Sequence, residues 1–186
     1  MPSAKPNPDS SGRARLPETG LSHDEIEAIL DKGAADNVDW RRRMAAGVNY
    51  YPSEDVNEIA KLAYEKFFSS NALYRAYFPA IARFEDDIVD FAADIFNGPD
   101  AVGSVTSGGS ESILMAVKSA RDRAMATRPD VSRPSAVIPA SAHPAFWKGA
   151  HYFGLEPIKV PLDAEHQIDL DRYRSAITDQ TVLLVG

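Results

Sequence analysis

The stretch Val105-Thr106-Ser107-Gly108-Gly109-Ser110-Glu111-Ser112 concentrates groups that can do chemistry. Two adjacent glycines let the backbone turn sharply and keep any Cβ out of a ligand's way. Ser107, Ser110 and Ser112 add hydroxyl donors, and Ser110 or a neighbour is placed to cap a following helix. The N–H groups of a first helical turn, with the helix dipole behind them, form an anion site for which phosphate is the obvious guest. The spacing is neither that of a dinucleotide fingerprint nor that of a P-loop, which also needs a Gly-Lys-Ser/Thr ending. The plainer reading of Gly-Gly is a turn between a strand and a helix. His143, in Ser141-Ala142-His143, is a second candidate, suited to stacking against a planar ring. His23, His151 and His166 read as surface or locally bonded residues.

These residues need elements to hold them. Ala101 to Thr106 reads as a short strand entering the glycine loop, and Ser110 to Thr127 as the helix leaving it. Ser135 to Pro139, Pro157 to Val160 and Thr181 to Val185 read as short buried strands. Helices at Pro144 to Phe153, closed by Gly154, and at Ile168 to Ile177 alternate with them. Such alternation predicts an α/β fold with a mostly parallel sheet covered by helices. Ligands of such sheets sit outside the carboxyl ends of the strands, where both the glycine loop and His143 fall.

The preceding half reads as helical. Residues 1–20 carry Pro2, Pro6, Pro8 and Pro17 with little to bury, and read as a disordered arm. Ser22-His23-Asp24-Glu25 is a capping-box pattern opening an amphipathic helix that stops at Gly33. Asp39 to Ala46 is another short helix, with Arg41 to Arg43 at a solvated end. Ser53 starts a helix with Val56, Ile59, Ala60, Ala63 and Phe67 on one stripe. Pro79 starts a longer one, with Ile81, Phe84, Ile88, Phe91, Ala92 and Ile95 recurring until Asn97-Gly98-Pro99. Glu85, Asp86, Asp87 and Asp90 on it have no nearby histidine and read as a solvated face, not a metal site. The organisation expected is an arm at 1–20, a helical segment at 21–99 and an incomplete α/β domain at 100–186. A chain ending on a buried-type strand reads as the N-terminal part of a larger fold.

Composition narrows the function classes. A net charge of −7 gives no support to a nucleic-acid or anionic-membrane partner. With no cysteine there is no disulfide, thiol nucleophile or cysteine-bound metal. No apolar run approaches the ~18 residues of a membrane span, and the polar N-terminus is unlike a secretory signal. A soluble, cytoplasmic protein is expected.

Several strings together resemble the sphingosine-1-phosphate lyases, pyridoxal-phosphate enzymes of the group II decarboxylase type. They are Thr106 to Lys118, Ile95-Phe96-Asn97-Gly98-Pro99, Ser141-Ala142-His143-Pro144-Ala145-Phe146, Tyr152-Phe153-Gly154 and Val160-Pro161-Leu162, in matching order from about Ala46 to Gly186. The resemblance implies the aspartate-aminotransferase-like fold (fold type I), a helical segment here leading into the first part of its large domain. It implies pyridoxal 5'-phosphate as cofactor, with Gly108, Gly109 and Ser110 on its phosphate and His143 stacked on its ring. Tyr50 matches an active-site tyrosine, giving Tyr50 and His143 catalytic roles. Asn71 matches an asparagine near the substrate phosphate, and Tyr74 stands where the family has histidine. Plainer roles stay open for both: Tyr50 as core cover, Asn71 as a turn cap. In the family, the Schiff-base lysine and the carboxylate on the pyridine nitrogen lie downstream of the position of Gly186. None of the seven lysines here stands in the matching context.

The activity implied is cleavage of a phosphorylated sphingoid base to a fatty aldehyde and phosphoethanolamine by a homodimer. The alternatives are a pyridoxal-phosphate-dependent amino-acid decarboxylase, a non-catalytic chain acting as a folding or dimerisation partner, and a simple phosphate-binding module.

Overall fold

The computed structural model describes residues 19–37 and 52–186. The expected arm, apart from its last two residues, the helix at Asp39 to Ala46 and Tyr50 lie outside the described residues. The chain divides into two units, 1–69 and 70–186.

In the first unit, α1 spans His23–Ala35 and α2 spans Glu54–Phe67. The capping box of α1 is complete: Glu25 N–H donates to Ser22 Oγ at 3.3 Å, and Ser22 N–H to Glu25 Oε2 at 2.8 Å. Those bonds from Ser22 hold the Glu25 carboxyl below the usual carboxylate range. Gly33 does not end α1, which continues through Ala34 and Ala35. One interior glycine costs only about 1 kcal/mol, and two alanines follow it. Ser53 caps α2 by accepting from Val56 N–H at 3.3 Å.

The second unit opens with α3, Pro79–Ile95, with proline at the first helical position. Asn97 ends it in the left-handed region at φ 53°, while Gly98 N–H donates back to Ala93 O at 2.8 Å. The expected apolar stripe is mostly exposed, at Phe84, Ile88, Phe91 and Ile95. The face that meets the chain is one step round, where a Cβ on Gly103 would lie 3.4 Å from Val89. Residues 101–106 are not the expected strand. A strand exists only through ladder bonds to a neighbour, and no described strand pairs with this segment.

The helix α4, Gly109–Thr127, leads to β1, Ser135–Pro139, then α5, Pro144–Phe153, and β2, Glu156–Val160. The short α6, Leu170–Ser175, and β3, Thr181–Leu184, complete the described elements. The expected helix from Ile168 is shorter because Asp169 caps it, accepting from Arg172 N–H at 3.0 Å, and Ile168 bridges to Leu162 instead. The three strands are parallel in the order β2-β1-β3, with Val137 opposite both Ile158 and Leu184. Every residue of β1 is buried, as a central parallel strand must be when both faces are covered.

The core joins sheet and helices through Val117, Ala136, Ile138, Ala150, Leu155 and Val185. At the amino end of β3, Arg128 donates to Thr181 O at 2.9 Å and also to Asp179 O. Gln180 Oε1 accepts from Ser132 and Arg133 N–H, both at 3.0 Å, so this edge is fastened by side chains to the loop before β1. Tyr173 of α6 donates to Val185 O at 2.7 Å.

The helices α4 and α5 cross at Gly149. A Cβ there would sit 3.1 Å from Val117 Cγ2 and 3.3 Å from Leu114 Cδ2. Only hydrogen fits without pushing them aside. Gly149→Val should therefore overpack the crossing and destabilise the fold by about 1–3 kcal/mol. The check is the denaturant midpoint, which should fall while the slope of the transition stays unchanged; an unshifted midpoint would mean a looser crossing.

Candidate functional site

Topology brings two helix N-termini to one end of the sheet. The C-terminus of α4 feeds the start of β1, and α5 leaves the end of β1 to reach the start of the parallel β2. Both helices thus run against the strands, with their first turns at the strands' carboxyl ends. The Gly149 crossing lies five residues into α5 and five to eight into α4, so about 7.5 Å from the first N-terminus and about 7.5–12 Å from the second at 1.5 Å per residue.

At the start of α4 the N-cap is Gly108, with φ 158° and ψ 174°, and no side chain caps the helix. Ser110 is the second helical residue, not the cap. L side chains rarely adopt the Gly108 geometry, whereas Gly109 is ordinary helix, so the special backbone sits at the first glycine. A Cβ on either glycine would meet no atom within 4 Å. Packing does not require glycine at 109; the open space beside it does not come from a neighbour's crowding.

The hydroxyls sort themselves. Ser107 donates its Oγ to Glu111 Oε2 at 2.6 Å and its N–H to the same oxygen at 2.7 Å. Those two bonds, the hydroxyl's first, hold the Glu111 carboxyl below the usual carboxylate range. Ser112 Oγ pairs with Thr106 Oγ1 at 2.7 Å, and Thr106 Oγ1 also reaches Gly108 O at 3.0 Å. Ser112 N–H makes the first helical bond, to Gly108 O at 3.1 Å. What remains without an acceptor among the described residues is Gly109 N–H, Ser110 N–H, Glu111 N–H and the Ser110 hydroxyl. These four donors sit at a positive helix end.

Beside Gly109 lies a cavity of about 520 Å³ between α3 and residues 98–112, whose lining does not include Ser110 or Glu111. Gly108, Gly109, Thr106 and Ser112 line its polar end, and Val89, Ala92 and Phe96 its apolar side. Among the described residues no group of acidic, histidine or cysteine side chains could hold a metal ion.

His143 is the N-cap of α5, and its Nδ1 accepts from Ala145 N–H at 3.2 Å. In the neutral ring that bond places the proton on Nε2. The imidazole is exposed but is not among the residues lining the cavity. Asn71 makes an Asx turn, its Oδ1 accepting from Leu73 N–H at 3.1 Å. Tyr74 is exposed and meets Tyr77 edge-on, with ring centres 6.0 Å apart. The structure therefore gathers Gly108, Gly109 and Ser110 at the start of one helix, brings only the two glycines to the cavity lining, and leaves Ser110, His143, Asn71 and Tyr74 off it.

Sequence reasoning missed the residue that organises Asn71 and Tyr74. Arg75 donates to Glu85 Oε2 at 3.1 Å and to both oxygens of Asp86 at 2.7 Å, tying their turn to α3. Part of the acidic face of α3 is thus a counter-ion for Arg75. Two lysines lie near the motifs in sequence: Lys118 pairs with Asp122 at 2.5 Å, and Lys148 lies over the Tyr152 ring at 5.4 Å.

An α/β unit with a glycine-started helix at the sheet's carboxyl end fits the fold type I class, and solved structures agree. The sphingosine-1-phosphate lyase of Burkholderia pseudomallei matches 92% of this chain and 42% of its own, at 33% identity and a TM-score of 0.80. Glutamate decarboxylase of Lactobacillus brevis matches 94% of this chain and 41% of its own, at 25% identity and a TM-score of 0.75. Sphingosine-1-phosphate lyase 1 of Rattus norvegicus is 39% identical over 171 residues. No family model matches. The fold is that of the pyridoxal-phosphate-dependent lyases and decarboxylases of fold type I. Within that class the curated relatives that the chain matches at 31–39% identity include sphingosine-1-phosphate lyases. It spans 30% of the length of the rat relative.

Gly109→Val tests whether the open space is used. The protein offers no clash within 4 Å of the new Cβ, so helix content should hold while affinity for pyridoxal phosphate falls at least about tenfold, the loss of one charge-assisted bond. Circular dichroism and a fluorescence titration measure the two; an unchanged dissociation constant would reduce the loop to a turn.

Proposed function

We propose that a protein built on this chain binds pyridoxal 5'-phosphate and cleaves a carbon–carbon bond beside an amine. The substrate is a phosphorylated sphingoid base, and the products are a fatty aldehyde and phosphoethanolamine. The observation that carries the reading is the set of unpartnered donors at Gly109, Ser110 and Glu111, in a sequence akin to the lyases. Those donors and the glycine space fit a phosphate group. Charge-assisted bonds of this kind contribute ~1.5–3 kcal/mol each, and the helix end adds about 0.3–1 kcal/mol.

When bound, the cofactor supplies an electron sink for the carbanion that carbon–carbon cleavage leaves. The chain's own residues bind and orient. Gly109, Ser110 and Glu111 hold the phosphate through N–H, with the Ser110 hydroxyl beside them. His143, its Nδ1 committed to Ala145, offers a ring face of fixed orientation for stacking. Asn71 keeps its amide N–H donors for the substrate phosphate while its oxygen holds the turn. Tyr74 offers one hydroxyl there, without the positive charge a histidine can carry near neutral pH. The role of Tyr50 and the homodimer rest on the sequence resemblance, and the cytoplasmic location on composition alone. No described helix is long and apolar enough to cross a membrane.

A second reading keeps the cofactor and makes the reaction amino-acid decarboxylation. The likeness to glutamate decarboxylase and tyrosine at position 74 favour it. Purified protein containing this chain should take up the cofactor, show visible absorbance and lose it on borohydride reduction. Phosphoethanolamine should then appear from sphingosine 1-phosphate. A protein that stays colourless with added cofactor would end both readings, and carbon dioxide from an amino acid as sole product would select the second.

A further inference from the structure

We propose that Glu111 is a positioning residue that forms the phosphate cradle before any ligand arrives, acting through Ser107. The inference rests on the reading of the glycine loop as a phosphate cradle. Position 111 is the third residue of α4, and its carboxylate turns back past the N-cap to take both donors of Ser107. On the other flank, the Thr106–Ser112 hydroxyl pair closes the same loop. The consequence is a division of labour. Ser107 is spent on Glu111, so it neither reaches the ligand nor competes for it, and the N–H groups after Gly108 stay uncovered.

Without that hold, the stretch from Ser107 to Gly109 contains two residues of maximal backbone freedom. Among the described residues no other bond would fix Ser107: its N–H and Oγ both go to Glu111. Binding would then have to order the loop, and affinity would drop by the entropy of doing so. Gly108 itself keeps its bonds to Thr106 Oγ1 and Ser112 N–H, so the freedom released lies at Ser107.

The opposite expectation is just as physical. A carboxylate beside a phosphate site repels the phosphate, so deleting it should tighten binding if Glu111 were merely a solvated charge. Glu111 is exposed, and such repulsion is screened within a Debye length of about 8 Å at physiological salt. Two short charge-assisted bonds outweigh it. The two accounts differ in sign, and that makes the choice measurable.

The experiment titrates pyridoxal phosphate, and separately inorganic phosphate, into wild-type protein, Glu111→Ala, Glu111→Gln and Ser107→Ala, with circular dichroism on each. Glu111→Ala should weaken both ligands about tenfold, the loss of one charge-assisted bond's worth of preorganisation. Glu111→Gln, which keeps an acceptor for the Ser107 N–H, should recover most of that loss. Ser107→Ala combined with Glu111→Ala should lose less than the two singly, because they act as one unit. Unchanged or tighter binding by Glu111→Ala, with helix content intact, would overturn the proposal and leave the cradle reading standing. So would a Glu111→Gln loss as large as that of alanine. A wild-type protein that binds neither ligand would overturn the cradle reading, and this inference with it.

Discussion

Gly149 lies so close to Val117 and Leu114 that a side chain there would have to push them aside, and that contact governs the second unit. Close-packed interiors transmit position, so fixing two helices at one crossing fixes both of their first turns. Beneath the crossing, β1 is buried along its whole length, and Ala136, Ile138 and Ala150 join strand and helix in one core. The glycine loop and His143 are therefore carried by the best-buried part of the chain, although both are themselves exposed.

On that frame the chemistry is decided by which polar groups are already satisfied. Ser107 and Glu111 consume each other, as do Thr106 and Ser112, and the residue left over is Ser110. A hydroxyl count over the sequence gives three candidate donors, whereas the structure leaves one, together with three backbone N–H groups. The same accounting applies at His143, where capping α5 uses Nδ1 and leaves the ring's face and Nε2 available.

The sheet and the helices beside it were legible because burial writes a strong pattern. Ser135 to Pro139 reads as an apolar run, and Gly154 at φ 70° closes α5 where the sequence places the stop. Residues 101–106 read as a strand by the same apolar signal, but a ladder needs a partner, and no local pattern records one. The Arg75 clamp escaped because its partners lie ten and eleven residues away round a turn, outside any helical or strand period. Glu111 escaped for a narrower reason. The capping-box signature is a serine three residues before a glutamate, whereas here Gly108 is the N-cap and the bonded serine stands four before.

The central claim is that the first turn of α4 is a preformed phosphate cradle. Amide NMR of the protein with saturating pyridoxal phosphate addresses it directly. The account predicts large downfield shifts at the N–H groups of Gly109, Ser110 and Glu111, with the Ser107 N–H nearly still because its acceptor does not change. Shifts concentrated at Asn71 to Arg75, with the Gly109 to Glu111 amides unmoved, would contradict it.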